Sequence, residues 1–166
     1  IRLVGSEMCI RDRVNALSVT TITGSAADLI VVYTAKEAGT ITFSTDEAIT
    51  VNDSLTIAQF NYLAANNDGV ITATISEGDM ATLEGITESG NALEITVTDS
   101  TVSAAALNTL DSKTTTDLTV TSSTITGTAA DLIAAYTATG SINGLGNEAI
   151  TLSDTSVDAE VLINLD

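Results

Sequence analysis

The chain repeats its own sequence, and this repetition restricts the possible folds more than any other feature. Residues 124–133 read TITGTAADLI and match residues 21–30, TITGSAADLI, at all but one position. A shorter period lies inside this long one, because residues 95–111 (ITVTDSTVSAAALNTLD) align without gaps on residues 150–166 (ITLSDTSVDAEVLINLD). Such repetition is typical of arrays in which one short supersecondary unit stacks on the next.

Each copy of the short period combines a strand pattern with a helix pattern. Runs of β-branched residues at period two predict the strands. These runs are residues 18–20, 49–51, 70–75, 93–98, 118–121 and 150–152. A hydroxyl side chain with an acceptor three residues later predicts a helix start. The pairs are Ser25 with Asp28, Thr56 with Gln59, and Thr128 with Asp131. Asp28 and Asp131 are therefore interpreted as parts of helix caps and not as paired catalytic carboxylates.

Equivalent apolar positions in the predicted helices indicate the number of units. These positions are Leu29, Phe60, Leu83, Leu107, Leu132 and Leu162. Their spacing runs from 23 to 31 residues, which predicts six strand–helix units. The two longest steps contain insertions at residues 34–48 and 137–149. Each insertion is expected to be a loop with one added strand, at residues 41–43 and around Ile142.

The expected fold class follows from the size of the unit. A unit of this length cannot bury its own apolar side chains, so neighbouring units must share a core. A strand, a helix and a second strand favour parallel pairing. We therefore expect an α/β solenoid of six short strand–helix repeats, with a parallel sheet on one side and helices on the other. A parallel β-helix and a globular α+β fold are the alternatives, although the capping signals disfavour the β-helix.

Charge and composition exclude several functions. Lys and Arg number 5 and Asp and Glu number 22, so the formal charge is −17. Such a chain lacks the clustered cations that bind nucleic-acid phosphates. It has no histidine and a single cysteine, Cys9, which excludes imidazole chemistry, an internal disulfide and a cysteine zinc cluster. No apolar run reaches the roughly 20 residues that cross a bilayer, so no membrane span is expected.

Residues 1–13 (IRLVGSEMCIRDR) differ in composition from everything that follows. They contain three of the five basic residues, and they lack the apolar core and cleavage site of a secretory signal. The stretch is similar to translated adaptor at the ends of environmental sequencing assemblies, so we expect a non-native or disordered leader. The repeat array is then residues 14–166. Its last unit matches an internal unit closely, which predicts a fragment of a longer solenoid.

Residues 126–166, which include GSINGLGNEAITLSDTSV, and residues 97–115 (VTDSTVSAAALNTLDSKTT) resemble a known kind of repeat. They are similar to the tandem repeats of very large secreted proteins of marine cyanobacteria. The resemblance is strongest over residues 93–166 and weaker over residues 35–90. It implies a non-catalytic structural or adhesive segment of a large extracellular or cell-surface bacterial protein. Its implied partners are neighbouring repeats and a cell-surface polysaccharide or protein, and no enzyme activity is implied.

Carboxylates that follow the strands are the candidate ligand-binding residues. Asp53, Asp99 and Asp154 occupy the same place in three units, so stacking would align them, and aligned carboxylates attract Ca²⁺. The favoured interpretation is an Asx-turn that leads into the following helix, because Ser or Thr comes next at each position. A calcium-dependent carbohydrate- or surface-binding repeat is the alternative function. Otherwise we expect no metal ligand, cofactor or catalytic residue.

Three further features are interpreted as structural. Residues 66–69 (NNDG) predict a turn and not an ion-binding loop. Residues 140–146 (GSINGLG) predict a flexible insertion, because a phosphate-binding loop would need a lysine and a different spacing. Tyr33 and Tyr136 are equivalent positions in the long period. We expect both rings to pack in the core with their hydroxyls near its edge.

Overall fold

Strands and helices alternate along the described part of the chain, residues 14–138 and 140–165, in the computed structural model. The strands are β1 (Val14–Asn15), β2 (Thr21–Gly24), β3 (Ile41–Thr42), β4 (Ala48–Leu55), β5 (Ile71–Ile75), β6 (Ala92–Val97), β7 (Thr101–Ser103), β8 (Leu118–Val120), β9 (Thr124–Gly127), β10 (Ile142–Asn143) and β11 (Ala149–Leu152). The helices are α1 (Ala26–Glu37), α2 (Ile57–Ala65), α3 (Met80–Leu83), α4 (Ala104–Asp111), α5 (Ala129–Thr137) and α6 (Ala159–Asn164). The leader expected at residues 1–13, with Cys9, lies outside the described residues.

All the pairings between these strands are parallel. One sheet has six strands in the order β10-β8-β6-β5-β4-β2, a second has the order β11-β9-β7, and β1 pairs with β3. Within each sheet the strands follow one another in chain order. Parallel neighbours need a crossover, and helices α1 to α5 lie within these crossovers. The chain is therefore an α/β fold of parallel sheets and helices.

The elements group into six consecutive segments, each with one or two strands followed by a helix. Each segment is named by its helix, from the α1 segment to the α6 segment. The α3 segment has one strand, β5, and the others have two. A register shift between Thr50 and Ser54 lets the eight-residue β4 pair with the shorter β5. Such a bulge takes up the extra length of the longer strand.

The start signals at three helices are confirmed. The Ser25 hydroxyl accepts a hydrogen bond from the Asp28 N–H at 3.2 Å, at the beginning of α1. The same contact begins α5, between Thr128 and Asp131, also at 3.2 Å. At α2 the Thr56 hydroxyl and the Gln59 side chain each accept from the other residue's N–H, which is a complete capping box.

The strand predictions are confirmed in part. Predicted strands overlap β4, β5, β6, β8 and β11, and the two insertions contain β3 and β10 as expected. The strand predicted at residues 18–20 is wrong, because the Val19 N–H bonds to the Ala16 carbonyl at 2.9 Å and closes a turn. The structure adds β1, β2, β7 and β9, which were not predicted as strands. Strands β2, β7 and β9 each lead directly into a helix start, and although their residues alternate between polar and apolar, each strand has only three or four of them.

The buried apolar side chains form one cluster that extends over most of the described segments. Along β5 and β6 buried and exposed residues alternate, so one face of each strand lies in this cluster. Five of the six predicted helix positions are at most 1 % exposed, from Leu29 to Leu132. Leu162 is the exception at 48 % exposed, because no later helix of the described chain covers α6.

Replacing Leu107 by alanine should be far more damaging than the same change at Leu162. Leu107 is fully buried, so its loss leaves a cavity and should lower the free energy of unfolding by about 2–5 kcal/mol. The matched variant Leu162→Ala removes a half-exposed side chain and should cost less than about 1 kcal/mol. Urea unfolding of both variants measures the difference. Equal losses would contradict this description of the core.

Candidate functional site

A carboxylate from one segment bonds to the first N–H of the helix in the preceding segment. We call these four residues the capping carboxylates. The pairs are Asp53 with Ala26 N (2.7 Å), Glu77 with Ile57 N (3.2 Å), Asp99 with Met80 N (2.5 Å) and Asp154 with Ala129 N (2.7 Å). The first N–H groups of a helix have no partner inside the helix. The helix dipole also favours a negative charge at this end, so each contact stabilises the helix that it caps.

This arrangement differs from the expected Asx-turns. The carboxylates of Asp53, Asp99 and Asp154 reach back to the preceding segment and accept hydrogen bonds from its helix. Glu77, which was not among the candidate residues, does the same for α2 with its longer side chain. A usable signal existed, because each of the four acids follows an apolar strand residue by two positions. Asp and Glu taken together at this position identify all four.

Calcium ligation by these aspartates stays a prediction. Each of the three carboxylates already accepts a backbone hydrogen bond. Over residues 14–138 and 140–165, no group of three or more His, Cys, Asp or Glu side chains is placed to hold a metal ion. The geometry therefore gives the aspartates a structural contact without showing a cation site.

Polar side chains also connect the beginnings of the strands. The Asn91 side-chain oxygen accepts the Ile71 N–H at 2.8 Å, and the Thr114 hydroxyl accepts the Leu93 N–H at 2.9 Å. The donors belong to strands, since Ile71 begins β5 and Leu93 lies in β6. The acceptors lie in the loops that precede β6 and β8. Asn91 is 7 % exposed, so this contact satisfies a polar group inside the protein. Later segments therefore complete the hydrogen bonding of earlier ones at the strands as well as at the helices.

A buried polar cluster lies where α1 ends and β4 begins. The Tyr33 hydroxyl donates to the Asn67 side-chain oxygen at 3.0 Å. The Asn67 side-chain nitrogen donates to the carbonyls of Glu47 and Gly69, at 3.0 and 2.8 Å. Residues 66–69 thus form a bend that is held from inside by Asn67. A Cβ atom at Gly69 would lie 2.1 Å from the Glu47 carbonyl oxygen, so only glycine fits there.

Glu47 is the unusual member of this cluster. Its side chain is 1 % exposed, and neither carboxylate oxygen has a hydrogen-bond partner in the described structure. Burying a carboxylate without a partner is costly, so such groups mark sites with a further role. Burial raises the pKa of the Tyr33 hydroxyl, and the nearby Glu47 charge raises this pKa further. The Tyr33 hydroxyl thus donates to Asn67, while the Glu47 charge acts on it only through space.

Lys36 approaches the same cluster from the last turn of α1. Its ammonium nitrogen lies 4.3 Å from the centre of the Phe43 ring and 5.4 Å from the centre of the Tyr33 ring. The two rings pack edge to face with their centres 5.2 Å apart. The ammonium group also donates to the Ser44 carbonyl. A lysine in contact with two buried aromatic rings is partly shielded from water.

The second long insertion arranges its equivalent residues differently. The Tyr136 hydroxyl donates to the Glu148 carboxylate at 3.0 Å, and the Gly146 N–H donates to the same oxygen at 2.7 Å. Burial and the Glu148 hydrogen bond raise the pKa of Tyr136 to about 12. Burial opposes ionisation of Glu148, but hydrogen bonds from backbone N–H groups and from Tyr136 lower its pKa below the usual range. The expected core position is confirmed for Tyr33, although its hydroxyl lies inside the core rather than at the edge.

Comparison of the chain with protein-family models, with curated proteins and with solved structures gives no match. Among the described residues, no helix has the length and apolar composition needed to cross a membrane. Any functional assignment therefore depends on the geometry of the segments and on the sequence resemblance.

Removing one capping carboxylate should destabilise the fold by about 1–2 kcal/mol. In Asp99→Ala the first N–H of α3 loses its charged acceptor, which is the cost typical of a lost helix cap. The exposed Glu88 is a matched acidic control, and Glu88→Ala should change the free energy of unfolding by less than about 0.5 kcal/mol. Urea unfolding near neutral pH tests both. A loss of the same size in the control would assign the effect to net charge.

The tyrosines should make the fold sensitive to alkaline pH. The pKa of Tyr136 is raised from 10.0 to about 12 in the folded chain, so folding favours the neutral phenol. The stability that folding gains from the neutral Tyr136 phenol is fully present below the pKa that Tyr136 has in the unfolded chain. It is lost as the pH rises through the pKa that Tyr136 has in the folded chain. Free energies of unfolding should therefore fall between about pH 10 and pH 12. Tyr136→Phe should flatten this fall, whereas the surface contact of Tyr62 with Thr34 makes Tyr62→Phe a suitable control.

Proposed function

We propose that the chain is a non-catalytic structural or adhesive segment of a large extracellular bacterial protein. Its segments act as six repeats of an α/β solenoid, in which consecutive strands stack in parallel and the helices follow them. The observation that carries this proposal is the set of capping carboxylates, because they complete the beginnings of α1, α2, α3 and α5 from the following repeat. Length and resistance to deformation are properties that such an array supplies without any catalytic site.

The direction of these contacts supports an array in which each repeat depends on its neighbours. Strand pairing, the capping carboxylates and the strand-start contacts all connect one segment to the next. The contacts span about one repeat along the chain, from 19 residues for Asp99 with Met80 to 27 residues for Asp53 with Ala26. In a quasi-one-dimensional protein, stability grows with such neighbour contacts. This arrangement favours a structural role.

Neighbouring repeats are the partner that the surface supports best. Strands β2 and β10 lie at the two edges of the six-stranded sheet, and β7 and β11 lie at the edges of the three-stranded sheet. Edge strands present backbone groups that can pair with a further strand. On α6, Leu162 and Ile163 are 48 % and 73 % exposed, and a further repeat stacked there would cover them.

The surface charge fits an extracellular segment without nucleic-acid partners. The chain carries a formal charge of −17, and Lys36 and Lys113 supply the positive side chains of the described residues. The Lys36 ammonium group contacts an aromatic ring and donates to the Ser44 carbonyl. The charged groups on the outer surface are therefore mainly carboxylates. Such a surface keeps an apolar, threonine-rich chain soluble and discourages unspecific self-association.

A calcium-dependent carbohydrate-binding repeat is less well supported. Sugar sites use exposed aromatic rings as stacking surfaces. Tyr33, Phe43 and Phe60 are at most 5 % exposed, and Tyr62 and Tyr136 are only half-exposed and far apart in sequence. The described aromatic residues therefore serve the core and form no open platform.

Surface labelling of cells tests the proposed function. Antibodies raised against the folded chain should label intact cells of a marine cyanobacterium that carries this sequence, because the segment is expected outside the cell. An antibody against a cytoplasmic enzyme is the control, and it should label only permeabilised cells. Labelling by both antibodies only after permeabilisation would contradict the proposal. A rise of many degrees in the unfolding midpoint with millimolar Ca²⁺, absent with chelator, would favour the calcium-dependent alternative instead.

A further inference from the structure

The cluster at the end of α1 holds the three groups that an amide-exchange reaction needs. Lys36 and Asn67 line the same cavity, which has a volume of about 380 Å³. Asn67 is 7 % exposed, and its amide is fixed by three hydrogen bonds from or to Tyr33, Glu47 and Gly69. The Glu47 carboxylate is buried, and no described residue gives it a hydrogen-bond partner. Lys36 and Asn67 thus line one cavity, and the amide of Asn67 is bonded to the backbone carbonyl of Glu47.

Each group is placed for a distinct part of the chemistry. The Tyr33 hydroxyl donates to the Asn67 carbonyl oxygen at 3.0 Å, which polarises that carbonyl and stabilises negative charge on the oxygen during attack. The Phe43 and Tyr33 rings shield the Lys36 amine from water. Neither Glu47 carboxylate oxygen has a hydrogen-bond partner among the described residues, and the Glu47 backbone carbonyl is bonded to the Asn67 amide, so this carboxylate is the candidate proton carrier.

We propose that Lys36 and Asn67 form an intramolecular isopeptide bond, with Glu47 as the proton carrier. The Lys36 nitrogen leaves the Ser44 carbonyl, gives a proton to Glu47 and attacks the side-chain carbonyl carbon of Asn67. Glu47 returns this proton to the Asn67 side-chain nitrogen, the bond from the carbonyl carbon to that nitrogen breaks, and ammonia leaves. The second proton of the attacking nitrogen passes to Glu47 and then to the ammonia, which departs as ammonium. One lysine ammonium and one primary amide thus give one secondary amide and one ammonium ion, and no oxidant or cofactor is consumed.

The second insertion supplies an internal comparison. There Tyr136 donates directly to Glu148, and backbone N–H groups also hold that carboxylate. In the long-period alignment the sequence position that corresponds to Lys36 is Thr139, which has no amine. Only the insertion with a lysine therefore combines a tyrosine directed at an amide with a glutamate that has no hydrogen-bond partner. A purely structural glutamate would be expected to keep the contacts of Glu148.

The bond would also have a mechanical consequence. It joins the last turn of α1 to the bend after α2, and so connects two consecutive segments covalently. A covalent cross-link removes conformational freedom from the unfolded chain and raises stability, as a disulfide does. A chain without a disulfide partner for its single cysteine would gain the same effect without a redox requirement.

Mass spectrometry of the intact, denatured full chain tests this proposal directly. The measured mass should be lower than the sequence mass by one ammonia. Trypsin applied after denaturation should cut after Lys113 but not after Lys36, because an acylated lysine is not a trypsin site. A mass equal to the sequence mass, together with cleavage after Lys36, would overturn the proposal whatever the stability of the protein.

Variants assign the bond to these residues. Lys36→Arg and Glu47→Gln should both show the full sequence mass of the variant, and circular dichroism should confirm that each folds. Asn67→Asp should still react, with a deficit of one water in place of one ammonia. Lys113→Arg is the matched control, because the Lys113 ammonium contacts the Thr87 carbonyl at 3.4 Å outside this cluster, and it should keep the ammonia deficit. A mass deficit of one ammonia that disappears in Lys113→Arg but persists in Lys36→Arg would refute the assignment of the bond to Lys36.

Discussion

The hydrogen bond from the first N–H of a helix to a carboxylate of the next segment is the contact on which this fold depends. Such an N–H has no partner within its own helix, and α3 has only four residues with which to stabilise itself. The Asp99 carboxylate supplies the missing acceptor at 2.5 Å. Because the acceptor comes from the following segment, a helix is complete only when its neighbour is in place. Local helix formation and the stacking of segments are therefore coupled.

This coupling adds directional contacts to an apolar cluster that the segments share. Leucine and isoleucine dominate the buried positions, and each short segment contributes only a few of them, so no segment has a core of its own. Directional contacts compensate, at the helix starts through carboxylates and at the strand starts through Asn91 and Thr114. The acidic composition thus has two effects, since some carboxylates keep the surface soluble while others complete the backbone hydrogen bonding.

The sequence predicted features that depend on a few adjacent residues and missed those that depend on the next segment. The caps at Ser25, Thr56 and Thr128 were predictable because donor and acceptor are three residues apart. The partner of the Asp53 carboxylate lies 27 residues away, and only the stacked structure brings the two together. Strands β2, β7 and β9 alternate like the predicted strands, but only their parallel pairing with β4, β9 and β11 identifies them as strands.

The two long insertions show how far one motif can diverge within a repeated chain. Both keep a tyrosine on the helix and a glutamate before the following strand, yet only the second pair is hydrogen-bonded directly. In the first insertion the Tyr33 hydroxyl donates instead to Asn67, which follows α2. The Glu47 carboxylate is buried, and it has no hydrogen-bond partner among the described residues. Burying an unpaired carboxylate is costly, so Glu47 needs a compensating gain. The proposed amide bond between Lys36 and Asn67 supplies such a gain. The capping carboxylates connect one segment to the next by hydrogen bonds, which are reversible, whereas the amide would connect two segments covalently.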